Sequence, residues 1–147
     1  MRIAIASDHG GYHLKAELVD LLTKLGHLCD DLGTHSAEAV DYPDYARIVA
    51  QGVAEGAYDR GILVCGTGQG MAITANKVKG VRAAVCQDTY SARMSREHNN
   101  ANVLCLGGRV LGGGLAADVV KAWLEAGFSG EQRHRRRLGK ISALEPK

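Results

Sequence analysis

Short apolar runs recur along the chain, and each of them is bounded by glycine or polar residues. Their high content of Val, Ile, Ala and Cys is typical of strands that are buried on both faces of a parallel sheet. Between the runs, apolar residues three or four positions apart predict helices with one buried face, as at Leu14, Leu18 and Leu22. The five predicted strands span residues 2–7, 27–32, 61–65, 81–86 and 102–106.

The order of these elements predicts the class of fold. Strand and helix alternate throughout, and crossovers of this length join parallel strands through right-handed connections. The sequence therefore predicts an α/β fold: a single-domain, doubly wound (Rossmann-like), five-stranded parallel sheet with helices on both faces and a basic C-terminal tail. No internal repeat or linker divides the chain, so we expect one domain over residues 1–147, with a core over 1–127 and the tail over 128–147.

Polar residues cluster directly after the predicted strands. Asp8 and His9 follow the first strand, a glycine-rich turn follows the third, and Arg109 follows the fifth. Ligands of doubly wound sheets bind beyond the carboxyl ends of the strands, so these residues are the first candidates for a binding site. Asp8 also has a purely structural interpretation, because an aspartate at this position can cap the helix that follows.

The turn after the third strand has the sequence CGTGQG over residues 65–70 and opens a helix near Met71. Backbone N–H groups exposed in such a turn favour a phosphate, a carboxylate or an enediolate oxygen. The spacing differs from the GxGxxG of dinucleotide-binding turns, so nicotinamide binding is disfavoured. A P-loop is excluded more firmly, because no Gly-Lys-Ser/Thr follows.

Of the four cysteines, Cys65 is the candidate for chemistry. It closes the third strand at the start of a predicted helix, where the positive helix end favours a thiolate that acts as a base or a nucleophile. Cys29, Cys86 and Cys105 lie inside apolar runs and are interpreted as buried structural residues. None of the four forms a CxxC pair, so neither structural zinc nor a disulfide framework is expected.

His98 is a second candidate, and it precedes the fifth predicted strand, where a helix should be ending. A lone histidine there is more often a cation at a helix C-terminus. The neighbouring Asn99 favours the functional interpretation slightly, because a carboxamide and an imidazole together can bind sugar hydroxyls. His13, His27 and His35 have no supporting partner and are assigned no role.

Composition changes this picture mainly through charge. The chain is 46% hydrophobic and 23% charged, as expected for one globular domain. Residues 1–132 carry a balance of −3 and residues 133–147 a balance of +5, so the basic charge is concentrated in the tail. The basic run at residues 133–137 is typical of a solvated surface or of an RNA-binding patch. In a helix, however, Arg133 and Arg137 would share one face and form a phosphate clamp. No apolar run is long enough to span a bilayer, so we expect a cytoplasmic protein that binds no membrane.

Seven short motifs occur in order along nearly the whole chain. They are SDHGG (7–11), DYP (41–43), CGTGQG (65–70), ANK (75–77), SREHN (95–99), LGGRV (106–110) and RHRRR (133–137). Together they closely resemble the motifs of type B ribose-5-phosphate isomerases, of the ribose/galactose isomerase family. The resemblance implies a sugar-phosphate isomerase domain that interconverts D-ribose 5-phosphate and D-ribulose 5-phosphate through a cis-enediolate, with no metal and no organic cofactor.

The resemblance also implies a role for each site residue. Cys65 is expected to be the base that moves the proton between the two carbons, and His98 the acid that opens the furanose ring. The groups expected to hold the enediolate are Thr67 and the amides of Gly66, Gly68, Gln69 and Gly70. The residues expected to bind sugar hydroxyls are Asp8, Tyr42 and Asn99, and those expected to bind phosphate are His9, Arg109, Arg133 and Arg137.

In this family the site lies at a dimer interface, which implies a homodimer with shared active sites and leaves open whether dimers pair into a tetramer. One branch of the family uses as base a glutamate four positions after the cysteine, but that residue here is Gln69, so Cys65 has no rival. Isomerisation of allose 6-phosphate, galactose 6-phosphate or a four-carbon sugar phosphate is the alternative activity. A nucleotide-binding regulatory module and a small RNA-binding protein are more remote alternatives, and no nucleic-acid partner is expected.

Overall fold

Five parallel strands form one sheet at the centre of the computed structural model, which describes all 147 residues. The strands are β1 (Arg2–Ser7), β2 (Leu28–Asp31), β3 (Arg60–Cys65), β4 (Ala83–Val85) and β5 (Val103–Gly107). The helices are α1 (Tyr12–Lys24), α2 (Tyr42–Ala54), α3 (Gln69–Ala75), α4 (Thr89–Glu97), α5 (Gly113–Glu125) and α6 (Gln132–Ser142). No helix combines the length and the apolar character that a bilayer-spanning segment requires.

The strand order is β2-β1-β3-β5-β4, and every neighbouring pair is parallel. The chain winds from β1 outward to β2 and then crosses to β3, so the winding direction reverses between β1 and β3. This is the doubly wound arrangement expected from the sequence. All five predicted strands are confirmed, and their ends differ from the prediction by at most two residues. β4 begins later than predicted because the Arg82 N–H donates to the side chain of Asn102 over 2.8 Å.

Both faces of the three central strands, β1, β3 and β5, are buried, and successive side chains of each strand point to opposite faces. The outer strand β2 is mostly exposed, unlike the buried strand that the sequence predicts there. On one face, strand residues such as Ile3 and Leu104 pack against α1, α4 and α5. On the other face, residues such as Leu63 and Cys105 pack against α2 and α3. The expected helices on both faces of the sheet are confirmed. The rows of strand ends, one carboxyl-terminal and one amino-terminal, are left uncovered, and we call these two rows the edges of the sheet.

The last helix, α6, lies outside both cores, and His134 is its one buried residue. The His134 ring packs against His98, in the segment that leads into β5. Near the chain end, the Glu145 carboxylate accepts a hydrogen bond from the N–H of Gly80, in the segment that leads into β4, over 2.9 Å. Residues 132–145 therefore lie along the edge where the strands begin, opposite the edge that binds ligands in sheets of this class.

Candidate active site

The carboxyl ends of β1, β3 and β5 meet at one edge of the sheet, which we name the Cys65 edge. The strand register places Cys65 beside Gly107. Beyond the strands, the Asp8 N–H donates to the Val64 carbonyl over 3.2 Å, and the Gly108 N–H donates to the Cys65 carbonyl over 2.8 Å. The loops that follow the three strands are therefore held side by side, where the winding of the sheet reverses.

The turn after β3 wraps around the sulfur of Cys65. The thiol is buried, and the backbone N–H of Gly68 donates to its Sγ over 3.1 Å. Gly68 has a φ of +83°, and a Cβ there would lie 3.1 Å from the carbonyl carbon of Leu106. Only glycine adopts this conformation without strain. The sulfur of Cys65 is therefore held at the start of α3 with one backbone N–H directed at it.

Four backbone N–H groups of this turn have no acceptor within the protein. They belong to Gly66, Thr67, Gly70 and Met71. Open amides in a tight turn carry partial positive charge and bind anions. The exposed Thr67 hydroxyl lies in the same turn, where it accepts a hydrogen bond from the Gln69 N–H over 3.3 Å. The turn thus offers donors for a negatively charged oxygen close to the thiol.

The loop after β1 lies against the turn. Oδ1 of the buried Asp8 accepts hydrogen bonds from the N–H groups of Gly10, over 2.8 Å, and Gly11, over 3.2 Å. Gly11 is itself the N-cap of α1 and no side chain caps this helix, so Asp8 orders the loop instead of capping the helix. Its second carboxylate oxygen is left for a ligand. Nδ1 of His9 accepts from the Val40 N–H over 3.3 Å, which fixes the ring and leaves Nε2 without a partner.

Two further side chains predicted from the sequence contact the turn. A Cβ on Gly70 would lie 2.5 Å from Cζ of Tyr42, so the tyrosine ring rests on the backbone of that glycine. The backbone N–H of Arg109 donates to the Gly66 carbonyl over 3.0 Å, and Nη1 of its guanidinium would lie 3.4 Å from a Cβ on Gly66. A guanidinium beside open backbone amides is well suited to a phosphate group.

The other predicted site residues lie at the opposite edge of the sheet, which we name the His98 edge. They are His98, Asn99, Arg133 and Arg137. His98 is the C-cap residue that follows α4, and Asn99 comes next in the segment that leads into the beginning of β5. Along β3, the register with β5 runs from Gly61 to Cys65, so the two edges are roughly 13 Å apart along the strands. One chain therefore does not bring His98 to Cys65.

His134 supports His98 at this second edge, and sequence reasoning gave it no individual role. The two imidazole rings pack with their centroids 4.4 Å apart, and Nδ1 of His134 lies 2.6 Å from Oγ of Ser129. Burial, followed by the nearby charges of His98 and Arg133, lowers the pKa of His134. The signal in the sequence is weak: His134 is the one residue in the run 133–137 that is not arginine.

The charged side chains of the His98 edge are open to solvent in the single chain. Arg133 and Arg137 are exposed one turn apart on α6, and Arg133 contacts the Glu131 carboxylate with an N···O distance of 3.0 Å. The backbone carbonyl of Asn99 accepts from Nε of Arg82 over 3.1 Å, so its position is fixed while its carboxamide is exposed. These groups can reach a ligand that is held by another surface.

Two cavities occur in the chain, and neither includes Cys65. The larger has a volume of about 610 Å³ and lies beneath α6, where Leu138 and Ile141 line it together with Asn99. The Cys65 edge is therefore an open surface and not an enclosed pocket in the single chain. No group of three or more His, Cys, Asp or Glu side chains is arranged to hold a metal ion.

Two residues outside the predicted set support the Cys65 edge. Lys15 is buried in α1, and its Nζ donates to the Asp31 carboxylate and to the Thr34 carbonyl, both over 2.6 Å. It anchors the loop after β2, although a lysine on a leucine-rich helix would ordinarily be placed at the surface. Gln87 follows β4 and contacts the turn that surrounds the thiol.

The fold and the Cys65 edge define a class of protein: a doubly wound α/β domain with a thiol beside a turn of open backbone amides, at the point where the winding reverses. Residues 3–141 match the family model described as Ribose/Galactose Isomerase, and the chain belongs to this family. The resemblance found in the sequence motifs is thereby confirmed.

Relatives and solved structures of this family cover nearly the whole chain. Ribose-5-phosphate isomerase B of Escherichia coli (strain K12) is 50% identical, over 98% of this chain and 96% of its own length. The structure of Clostridium thermocellum ribose-5-phosphate isomerase B has a TM-score of 0.96 and 57% identity, and covers 98% of this chain and 97% of that one. The structure of Mycoplasma genitalium ribose-5-phosphate isomerase B with bound ribulose-5-phosphate has a TM-score of 0.93 and 43% identity, and covers 97% of this chain and 94% of that one.

Proposed function

We propose that this protein interconverts D-ribose 5-phosphate and D-ribulose 5-phosphate, an aldose–ketose isomerisation that proceeds through a cis-enediolate. The observation that carries the proposal is the Cys65 thiol, which sits in a turn with one N–H donor on its sulfur and four N–H groups without acceptors. A base beside a set of oxyanion donors is what enolisation of a sugar requires. The relatives named as ribose-5-phosphate isomerase B support this choice of substrate.

The reaction can be written with side chains and backbone amides of this protein. The Cys65 thiolate removes the proton from C2 of the open-chain aldose, and the electron pair moves through the C1–C2 bond to the carbonyl oxygen. Thr67 and the open amides of the turn stabilise the negative charge on the enediolate oxygens. The Cys65 thiol then returns the proton to C1, while a proton moves between the two oxygens and the ketose forms.

Binding and ring opening fall to the surrounding side chains. In the proposal, Asp8, Tyr42 and Asn99 bind sugar hydroxyls, and His98 donates the proton that opens the furanose ring. The residues that would bind the phosphate are His9, Arg109, Arg133 and Arg137. Asp8 and His9 suit this use because each has one polar atom fixed within the chain and a second atom without a partner.

The division of these residues between two edges supports a homodimer with shared sites. Cys65 and His98 cannot meet in one chain, because roughly 13 Å of strand separates their edges. In a dimer with twofold symmetry, the Cys65 edge of each chain can face the His98 edge of the other, so two complete sites form at once. The open surface around Cys65 would be covered by the partner's α6 and by the end of its α4.

The test is an assay of ketose formation from ribose 5-phosphate in the presence of EDTA. We expect turnover that EDTA leaves unchanged, since every step is assigned to a side chain or a backbone amide. The same preparation should be compared on allose 6-phosphate, galactose 6-phosphate and a four-carbon aldose phosphate. Absence of ketose from ribose 5-phosphate, or a higher kcat/KM on another sugar of the panel, would overturn the proposed substrate.

A further inference from the structure

Gln87 connects the turn around Cys65 to the neighbouring strand. It lies just beyond the end of β4, and its side-chain Nε2 donates to the backbone carbonyl of Thr67 over 3.0 Å. Its Oε1 accepts a weaker hydrogen bond from the N–H of Gly107, over 3.4 Å. The second contact ties the amide to the end of β5, whose position is fixed by its pairing with β3.

The carbonyl that Gln87 holds belongs to the same peptide group as the N–H that contacts the catalytic sulfur. In a trans peptide, the C=O of one residue and the N–H of the next lie in one plane and point in opposite directions. The C=O of Thr67 is directed at Gln87, and the N–H of Gly68 is directed at Sγ of Cys65, over 3.1 Å. One rigid plane is therefore held between Gln87 and the thiol.

We propose that Gln87 is a positioning residue for Cys65, acting through the peptide plane between Thr67 and Gly68. By fixing the carbonyl, it keeps the opposite N–H directed at the sulfur, and a donor held in place stabilises the thiolate relative to the thiol. The turn needs this support because Gly68, with its φ of +83°, has a wide range of alternative backbone conformations. The inference rests on the proposed function of Cys65 as the base.

The test measures the thiolate directly by the pH dependence of alkylation with iodoacetamide, followed by mass spectrometry of the peptide that contains Cys65. Gln87→Met keeps the length of the side chain and removes both hydrogen bonds. We expect the midpoint of Cys65 alkylation to rise in this variant. Gln51→Met is the matched control, because Gln51 is exposed on α2 and its side chain makes one hydrogen bond, with Arg47; the midpoint of Cys65 alkylation in this control should equal that of the wild type.

Steady-state kinetics provide a second measurement. With ribose 5-phosphate, Gln87→Met should lower kcat several-fold and change KM by less than about twofold, because a smaller fraction of Cys65 is present as thiolate while the groups that bind substrate are unchanged. The acidic limb of the kcat profile should move by the same amount as the alkylation midpoint. A fall in kcat with an unchanged alkylation midpoint would overturn the inference, since Gln87 would then act by another route.

Folding is monitored in the same experiment through Cys105, which is completely buried in the sheet. Alkylation of Cys105 therefore reports unfolded protein. If Cys105 is alkylated in Gln87→Met, the same measurements are made on Gln87→Asn instead. The shorter amide cannot reach both partners and should also raise the midpoint. An unchanged midpoint in a folded variant overturns the role of Gln87. Because alkylation needs no substrate, a raised midpoint in a protein that does not isomerise ribose 5-phosphate would uphold Gln87 and refute the proposed function instead.

Discussion

The four cysteine side chains have very different surroundings, although all lie in or next to apolar runs. Burial raises the pKa of Cys105 well above its usual value and also raises that of Cys86. Burial, followed by the charges of Asp31 and Asp30, raises the pKa of Cys29 to about 11. These three thiols are therefore kept protonated and unreactive at neutral pH. Cys65 differs in its location at the end of a strand, where a backbone N–H contacts its sulfur.

Replacing this thiol should separate catalysis from folding. We expect Cys65→Ala to lower kcat by about 10²–10⁴-fold, the usual cost of removing a positioned proton-transfer group. Its circular dichroism spectrum should be unchanged, since only a single sulfur atom is lost. Cys29→Ala is the matched control and should retain wild-type kcat. Activity close to wild type in Cys65→Ala would contradict the assignment of the base.

We expect His134 to make stability depend on pH. Its folded-state pKa lies below the ordinary value of 6.5, because of its burial and the charges of His98, Arg133 and Arg137, which the opposing charge of Glu131 offsets only in part. As pH falls through 6.5, the unfolded chain takes up a proton at this position before the folded chain does. The stabilising contribution of the neutral ring is therefore complete above pH 6.5 and is lost towards the lower, folded-state pKa.

Thermal unfolding should report this loss. We expect the Tm of the wild type to fall between pH 7.5 and 5.5, and we expect a smaller fall in His134→Gln, which cannot titrate at this position. His13→Gln is the control for the removal of an imidazole at a site outside α6. An identical pH dependence of Tm in His134→Gln and the wild type would show that the protonation of His134 is not coupled to folding.

At the scale of elements, the turn between β3 and α3 depends on one glycine. Gly68→Ala should destabilise the protein by about 1–3 kcal/mol, because a side chain is strained at its positive φ and the Cβ would press on the backbone of Leu106. The kcat should fall as well, since the N–H on Cys65 is displaced. Chemical denaturation and the ribose 5-phosphate assay measure the two effects.

Gly114→Ala provides the comparison, because Gly114 lies within α5 with nothing within 4 Å of the added Cβ. Alanine is the better helix former, so this variant should be as stable as the wild type or more stable by up to about 1 kcal/mol. Equal stability of the two variants would show that the conformation of Gly68 has no special importance.

The sequence was sufficient to predict the elements and to place three candidate site residues at one edge of the sheet. Buried parallel strands have a strong local signature, and the rule that ligands bind beyond strand ends identified Asp8, Cys65 and Arg109 at one edge. The same rule applies to Gln87, the residue that follows the fourth predicted strand, but its partners come from other strands and leave no local trace. The contact of His134 with His98 is equally non-local, because it depends on where α6 packs.

The whole molecule presents two partial surfaces at opposite edges of one sheet. Arg137 lies at the His98 edge, so in the proposed dimer it completes the site of the partner. Arg137→Ala should raise KM for ribose 5-phosphate by roughly 10-fold to 150-fold, the effect of losing one charge-assisted contact to phosphate. Arg136→Ala should change this KM little. A larger rise of KM in Arg136→Ala than in Arg137→Ala would assign the phosphate contact to Arg136 instead.

Mixing two variants tests whether sites are shared, when activity is assayed at a ribose 5-phosphate concentration well below the raised KM, where neither variant alone turns over appreciably. In a mixed dimer of Cys65→Ala and Arg137→Ala, one site carries both lesions and the other carries neither, so activity should return towards half that of the wild type in those dimers. If each chain forms its own site, every site keeps one lesion and nothing returns. If no activity is recovered although subunit exchange has been demonstrated, the shared site is refuted. The isomerase assignment would be unaffected, because the assay with ribose 5-phosphate tests it separately.

The roughly 13 Å of strand between Cys65 and His98 also has a consequence for how activity arises in time. In the proposed dimer, a chain that has finished folding holds only one half of each shared site, so catalysis has to wait for the encounter of two folded chains. On refolding from denaturant, the recovery of secondary structure should be independent of protein concentration. The recovery of turnover should instead follow second-order kinetics at low concentration, and its half-time should halve when the concentration of chains is doubled.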